Sequence, residues 1–230
     1  MVLNEEDKKW HVAHYTEMYE AFGYSPKALG WTKGKQDIRF DVLTSQINLT
    51  DKRILDIGCG FGDLNKCLKE KFHHYAYLGI DLLPAFIEEA KRKCDTNNGI
   101  KAEFICGDFL EEDIEGEFDY AVASGIFNYK LKNQNNYDFV NAVMAKSFDL
   151  CKEGIAFDFL SDKVDYTYPD NFNYDPAKIL SMAYTYTRNV VLRNDYMPFE
   201  FSIFLFKDDS FETGITLFNK YIKDKLIPSA

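Results

Sequence analysis

From Arg53 onward the chain alternates short apolar runs with amphipathic stretches, and no other feature restricts its fold as strongly. Residues 53–57, 75–80, 102–106, 118–123 and 154–159 are compact and rich in branched and aromatic side chains, as buried strands are. Between them, residues 63–72, 84–94 and 136–151 carry apolar side chains at helical spacing, with Pro84 suited to a first helical turn. A strand that returns to its sheet through a helix runs parallel to its predecessor with a right-handed crossover, so both sheet faces become covered. The rhythm then ends. Two β-rich runs, 189–193 and 199–206, are joined by a short connection containing Pro198, which suits a hairpin and not a crossover. The reading therefore makes 190–193 parallel to the first strand and 199–206 antiparallel to it.

Residues 1–50 precede this alternation. Helical spacing runs through 11–22, is broken by Gly23-Tyr24-Ser25-Pro26, and resumes over 35–46. A chain of 230 residues suits one α/β domain with modest additions. The expected division is a helical prologue or cap at 1–50, the sheet domain at 51–208 and a helical extension at 209–230.

The chemistry gathers at the strand ends. Asp56-Ile57-Gly58-Cys59-Gly60-Phe61-Gly62 closes the first strand and opens a helix, and glycines are needed where backbone must approach a ligand. Asp81 follows the second strand, where a carboxylate accepts hydrogen bonds from ribose hydroxyls. Asp108 follows the third, where a carboxylate accepts from an adenine amino group. A lone acid at a strand end also serves as a helix cap. Three in succession, on the edge where doubly wound sheets bind ligands, read as a nucleoside site. A dinucleotide fingerprint does not fit: Gly62 falls one position early, and Asp63 fills the third-glycine slot, unfavourably close to a pyrophosphate at a helix N-terminus.

With these residues the chain resembles the class I S-adenosylmethionine-dependent methyltransferases, whose first motif is Gly-x-Gly-x-Gly. It also resembles a bacterial small-molecule subgroup with a Trp-x4-Gln-x2-Arg-Phe prologue, here Trp31, Gln36, Arg39 and Phe40. The resemblance implies a doubly wound, seven-stranded Rossmann-like α/β sheet, mostly parallel with an antiparallel last strand. It implies S-adenosylmethionine as cofactor, with Asp56 and Gly58 serving the methionine amino group, Asp81 the ribose and Asp108 the adenine. Cys59, Gly60, Leu82 and Phe109 belong to the same turns, and Ser124-Gly125-Ile126 would follow the methionine chain. Gln36 and Arg39 would close over the cofactor, Arg39 pairing with its carboxylate.

The acceptor is read mostly from absences. No Asn/Asp-Pro-Pro-Tyr/Phe follows the fourth strand, as it does in amino-methyltransferases of adenine and cytosine, and no Pro-Cys pair suits attack on a pyrimidine. The net charge of −10 repels nucleic acid on average. A small polar acceptor, methylated on oxygen or nitrogen, is the leading reading, and an RNA or protein acceptor is the alternative. Trp31, Asn128, Tyr129, Asp195 and Tyr196 are the acceptor-side candidates, with Arg193, Ser161 and Asp162 near them. His11 and His14 sit on the prologue helix, and no single residue is assigned as base. The Tyr-rich stretch 166–186 forms either an acceptor lid or a helix on the sheet edge.

Cys59, Cys67, Cys94, Cys106 and Cys151 include no C-x-x-C pair, which suits reduced thiols and neither a zinc site nor a disulfide framework. No segment approaches the roughly 18 apolar residues of a membrane span, and the amino terminus has no apolar stretch. A cytoplasmic, membrane-free, metal-free protein is expected.

Overall fold

The computed structural model describes residues 2–30, 35–94 and 100–225. Trp31 therefore lies outside the described residues. The sheet holds β1 (Arg53–Ile57), β2 (Ala76–Asp81), β3 (Lys101–Cys106), β4 (Phe118–Ala123), β5 (Cys151–Leu160), β6 (Val190–Arg193) and β7 (Glu200–Phe206) in the order β3-β2-β1-β4-β5-β7-β6. The first five strands pair in parallel. β7 is antiparallel to both β5 and β6, which leaves β6 parallel to β1. The chain thus adopts the doubly wound, seven-stranded Rossmann-like sheet with its antiparallel strand.

Helices α1 (Glu5–Phe22), α2 (Gln36–Thr44), α3 (Asp63–Lys71), α4 (Pro84–Lys93), α5 (Asn136–Leu150) and α6 (Pro176–Ala183) flank it. Strand alternation feeds two apolar layers. Leu55 and Ile57 of β1 point into one with Phe118, Val140 and Phe201, while Ile54 points into the other with Leu43, Leu64 and Phe204. α2 of the prologue is part of that second layer through Phe40, Val42 and Leu43.

α1 begins six residues before the expected start. Asn4 caps it by accepting from the Glu6 amide at 2.9 Å, and Glu5, Glu6 and Asp7 complement the N-terminal dipole. Apolar periodicity was the wrong signal there, because charge and a cap define that first turn. The terminal segment is also not purely helical: β8 (Phe211–Glu212) and β9 (Leu217–Phe218) pair antiparallel before α7 (Asn219–Lys225). No helix among the described residues is long and apolar enough to cross a membrane.

Candidate functional site

The β1 turn is held against β2 by its backbone. The amides of Gly58 and Cys59 both donate to the carbonyl of Ile80, at 2.8 and 3.0 Å. Gly60 then donates to Asp81 Oδ2 at 2.9 Å, and Asp81 Oδ1 accepts from Leu83 at 3.0 Å. Asp81 thereby joins two consecutive strand-end turns. Gly58 has φ +71, and a Cβ there would collide with the side chain of Ile126 on the β4 turn. Asp56, 4% exposed, accepts from the Tyr77 hydroxyl, and burial pushes its carboxyl up to about 7 while that bond opposes the shift. Burial also raises Asp81, against the backbone amides that hold it.

The β4 turn rests on Asp158 of β5, which accepts from the Ser124 hydroxyl and, at 2.7 Å, from the Gly125 amide. Burial pushes Asp158 up to about 6, opposed by the charge of Arg39 and by those two donors. Arg39 on α2 donates through Nε and Nη2 to Glu200 at the start of β7.

These turns open into one cavity of about 600 Å³, within the range of small-molecule and cofactor sites. Gln36, Arg39, Asp56, Gly58, Cys59, Gly60, Asp81, Leu82, Asp108, Phe109, Ser124 and Gly125 all line it, as do Asn128 and Tyr129. Asp195 and Tyr196 do not line it. Asp195 turns back to pair with Arg193 at 2.9 Å, and the Tyr196 hydroxyl is 2.8 Å from Ser202 with its ring against the sheet core. The same hairpin reaches the cavity one step later, through Met197, Pro198, Phe199 and Glu200. Of the Tyr-rich stretch, Tyr166, Tyr168 and Asn171 line the cavity and the remainder supplies α6, packed on β6 and β7. The stretch thus contributes both to the cavity wall and to a helix packed on the sheet edge.

α1 covers the site because several separate contacts anchor it. Tyr19 and Tyr15 pack on Phe61 and Phe86 at 5.8 and 6.0 Å between ring centres. Buried Asp7 accepts from the amides of Lys132 and Asn133 at 2.9 and 3.0 Å. Lys8 pairs with Asp108 at 3.0 Å and with Glu111 at 2.7 Å. Asp7, Lys8, Asp158 and Glu200 were not legible as site residues in the sequence. Asp158 sits mid-strand, and the others read as ordinary surface charge until their distant partners are known.

A family model described as a methyltransferase domain matches residues 54–154, spanning β1 to β5. A Mycobacterium tuberculosis protein bearing a methyltransferase name is 30% identical over 159 residues, covering 67% of this chain and 92% of that protein. The malonyl-[acyl-carrier protein] O-methyltransferase of Priestia megaterium is 27% identical over 128 residues, covering 56% of this chain and 43% of the relative. Among solved structures, magnesium protoporphyrin IX methyltransferase from Synechocystis, with bound S-adenosylhomocysteine, shares the fold with a TM-score of 0.63 at 13% identity, covering 87% of this chain and 99% of that one. The cavity is lined by carboxylates at the carboxyl ends of three successive strands, Asp56, Asp81 and Asp108, with the glycine turn between the first two. By its fold and its relatives, the chain belongs to the class I methyltransferases that use S-adenosylmethionine.

Proposed function

We propose that the protein methylates a small polar acceptor on oxygen or nitrogen. The observation that carries this reading is the lining of the cavity. Beside Ser124 and Gly125 it includes Asn128, Tyr129, Asn171 and Phe199, together with His11 and Tyr15 of α1. A concave pocket of this size, lined by aromatic and polar side chains, suits a compact molecule. Net charge supports the same reading, since −10 opposes a polyanionic acceptor. Of the similar proteins, one is named for the small molecule magnesium protoporphyrin IX, and another for a malonyl group carried on an acyl-carrier protein.

When bound, S-adenosylmethionine supplies a methyl group already activated on a sulfonium, so the protein contributes alignment. In this reading Asp81 takes the ribose hydroxyls, held in place by the Gly60 and Leu83 amides. Asp108 and the neighbouring Phe109 take the adenine, and Asp56 with Gly58 takes the methionine amino group. Gln36 and Arg39 close the prologue over the methionine end. Arg39 reaches a carboxylate there only by sharing or releasing Glu200. Asp158 acts one layer behind, orienting the β4 turn that borders both halves of the cavity.

The test is calorimetry with S-adenosylhomocysteine, followed by methyl-transfer assays on panels of small hydroxyl and amine compounds, with RNA and protein substrates in parallel. Turnover of a small compound is expected. Turnover confined to RNA or protein would remove the reading while leaving the family unchanged.

A further inference from the structure

Tyr129 follows the β4 turn in the cavity wall, and its hydroxyl lies 3.0 Å from Nε2 of His14 on α1. Rings fix the pair from several sides. Trp10 stacks on His14 at 4.9 Å with the planes nearly parallel, and Tyr15 meets Tyr129 edge-on at 5.9 Å. His11 approaches Tyr129 only ring to ring, at 5.6 Å, whereas His14 makes the 3.0 Å hydrogen bond and the Tyr15 hydroxyl donates a second one to Tyr129. Both residues are half-buried, and Tyr129 lines the cavity while His14 stands behind it on α1.

We propose that Tyr129 and His14 form the proton-accepting pair of the reaction, and that the acceptor is a hydroxyl compound. This rests on the small-acceptor reading above and narrows it. As the acceptor oxygen bonds to the methyl carbon, its O–H bond breaks and the proton passes to Tyr129 Oη. The tyrosine's own proton moves to His14 Nε2. The electron pair of the broken carbon–sulfur bond stays on sulfur and cancels the sulfonium charge. The positive charge then resides on the His14 imidazolium until its proton leaves to solvent. Tyr129 is the catalytic residue and His14 the positioning and relay residue behind it. Burial raises the Tyr129 hydroxyl above its ordinary range, so it works as a neutral relay and not as a standing tyrosinate. A neutral amine acceptor attacks through its lone pair and has no need of such a relay.

Other groups facing the pair come from each surrounding element. His11, Tyr15 and Trp10 belong to α1, with Asp7 acting on His11 and Lys132 lying over Trp10. Asp170 acts on Tyr129 from the segment before α6. Burial holds His11 down to about 4, which makes it a neutral neighbour near pH 7.

The experiment uses the full chain. The 15N chemical shifts of the His14 ring, in wild type and in Tyr129→Phe, report the hydrogen bond without turnover, and the substitution is expected to move the Nε2 resonance. Both Tyr129→Phe and His14→Gln should keep wild-type affinity for S-adenosylhomocysteine by calorimetry. Both should lower kcat on an aliphatic hydroxyl acceptor by about 10²-fold, the usual size of a proton-transfer contribution. The loss should shrink for a nitrophenol that is already ionised at the assay pH. An unmoved His14 Nε2 resonance, or undiminished kcat in both variants, overturns the pair. Wild type that methylates amines and ignores hydroxyl compounds overturns the acceptor class. Wild type inactive on every small compound removes the underlying reading instead, and this inference with it.

Discussion

Arg39 on α2 and Glu200 at the head of β7, 161 residues apart in sequence, form a two-pronged ion pair on the cavity wall. Both side chains are largely buried, at 8% and 13% exposure. If Arg39 only paired with the cofactor carboxylate, Arg39→Ala would weaken cofactor binding with little effect on the melting temperature of the free protein. The pair changes that expectation. Removing one partner leaves a carboxylate uncompensated in a poorly hydrated place, which costs about 3–5 kcal/mol. At a few degrees per kcal/mol for a chain of this size, the melting temperature should fall by about 10 °C. Arg39→Ala with Glu200→Gln should recover part of the loss, and calorimetric unfolding of the single and double variants measures it. No loss in Arg39→Ala would show that the pair is not formed in solution.

Asp81 is the clearest test of the proposed nucleoside site. Its carboxylate already accepts from Gly60 and Leu83, so an Ala substitution would disturb two turns as well as the ligand. Asp81→Asn keeps the shape and removes the charge. Hydrogen bonds to charged groups contribute about 1.5–3 kcal/mol, so S-adenosylhomocysteine should bind at least about tenfold more weakly. Unchanged affinity in a folded Asp81→Asn protein would sink the ribose assignment.

Gly58 has φ +71 beneath the side chain of Ile126. Gly58→Ala adds both left-handed strain, about 1–2 kcal/mol, and a steric collision. Cofactor affinity and melting temperature should both drop. Adding Ile126→Ala should relieve the collision and leave the strain. The double variant is thus expected between wild type and Gly58→Ala by thermal unfolding, and identical losses in the two would contradict the packing.

Asp56 makes stability depend on pH in a direction opposite to most carboxylates. Burial lifts its folded value to about 7, above the roughly 3.9 of an unfolded aspartate. The folded state therefore holds the extra proton between these values, and its stabilisation is complete below the lower one and lost as pH rises through about 7. Relative to Asp56→Asn, the wild-type melting temperature should decline from pH 5 to pH 7.5. Parallel profiles for the two proteins would show that Asp56 is not shifted.

The sequence by itself determined the sheet and the ring of acids at its strand ends. Both are local consequences: apolar runs and helical spacing dictate the elements, and Asp56, Asp81 and Asp108 stand at or just beyond the carboxyl ends of three successive strands. It also placed Gln36 and Arg39 near the cavity, although only through a resemblance in the prologue. What the tertiary structure decided is how charges and hydroxyls meet across long separations. Arg39 finds Glu200, Lys8 finds Asp108, Asp158 supports the β4 turn, and His14 finds Tyr129. The hairpin shows the limit most sharply. Its position at the ligand edge followed from topology, yet Asp195 and Tyr196 turn to Arg193 and Ser202, and Met197 to Glu200 face the cavity. Orientation within a turn is set by which neighbours satisfy each polar group, and those neighbours exist only once the helices have packed on the sheet.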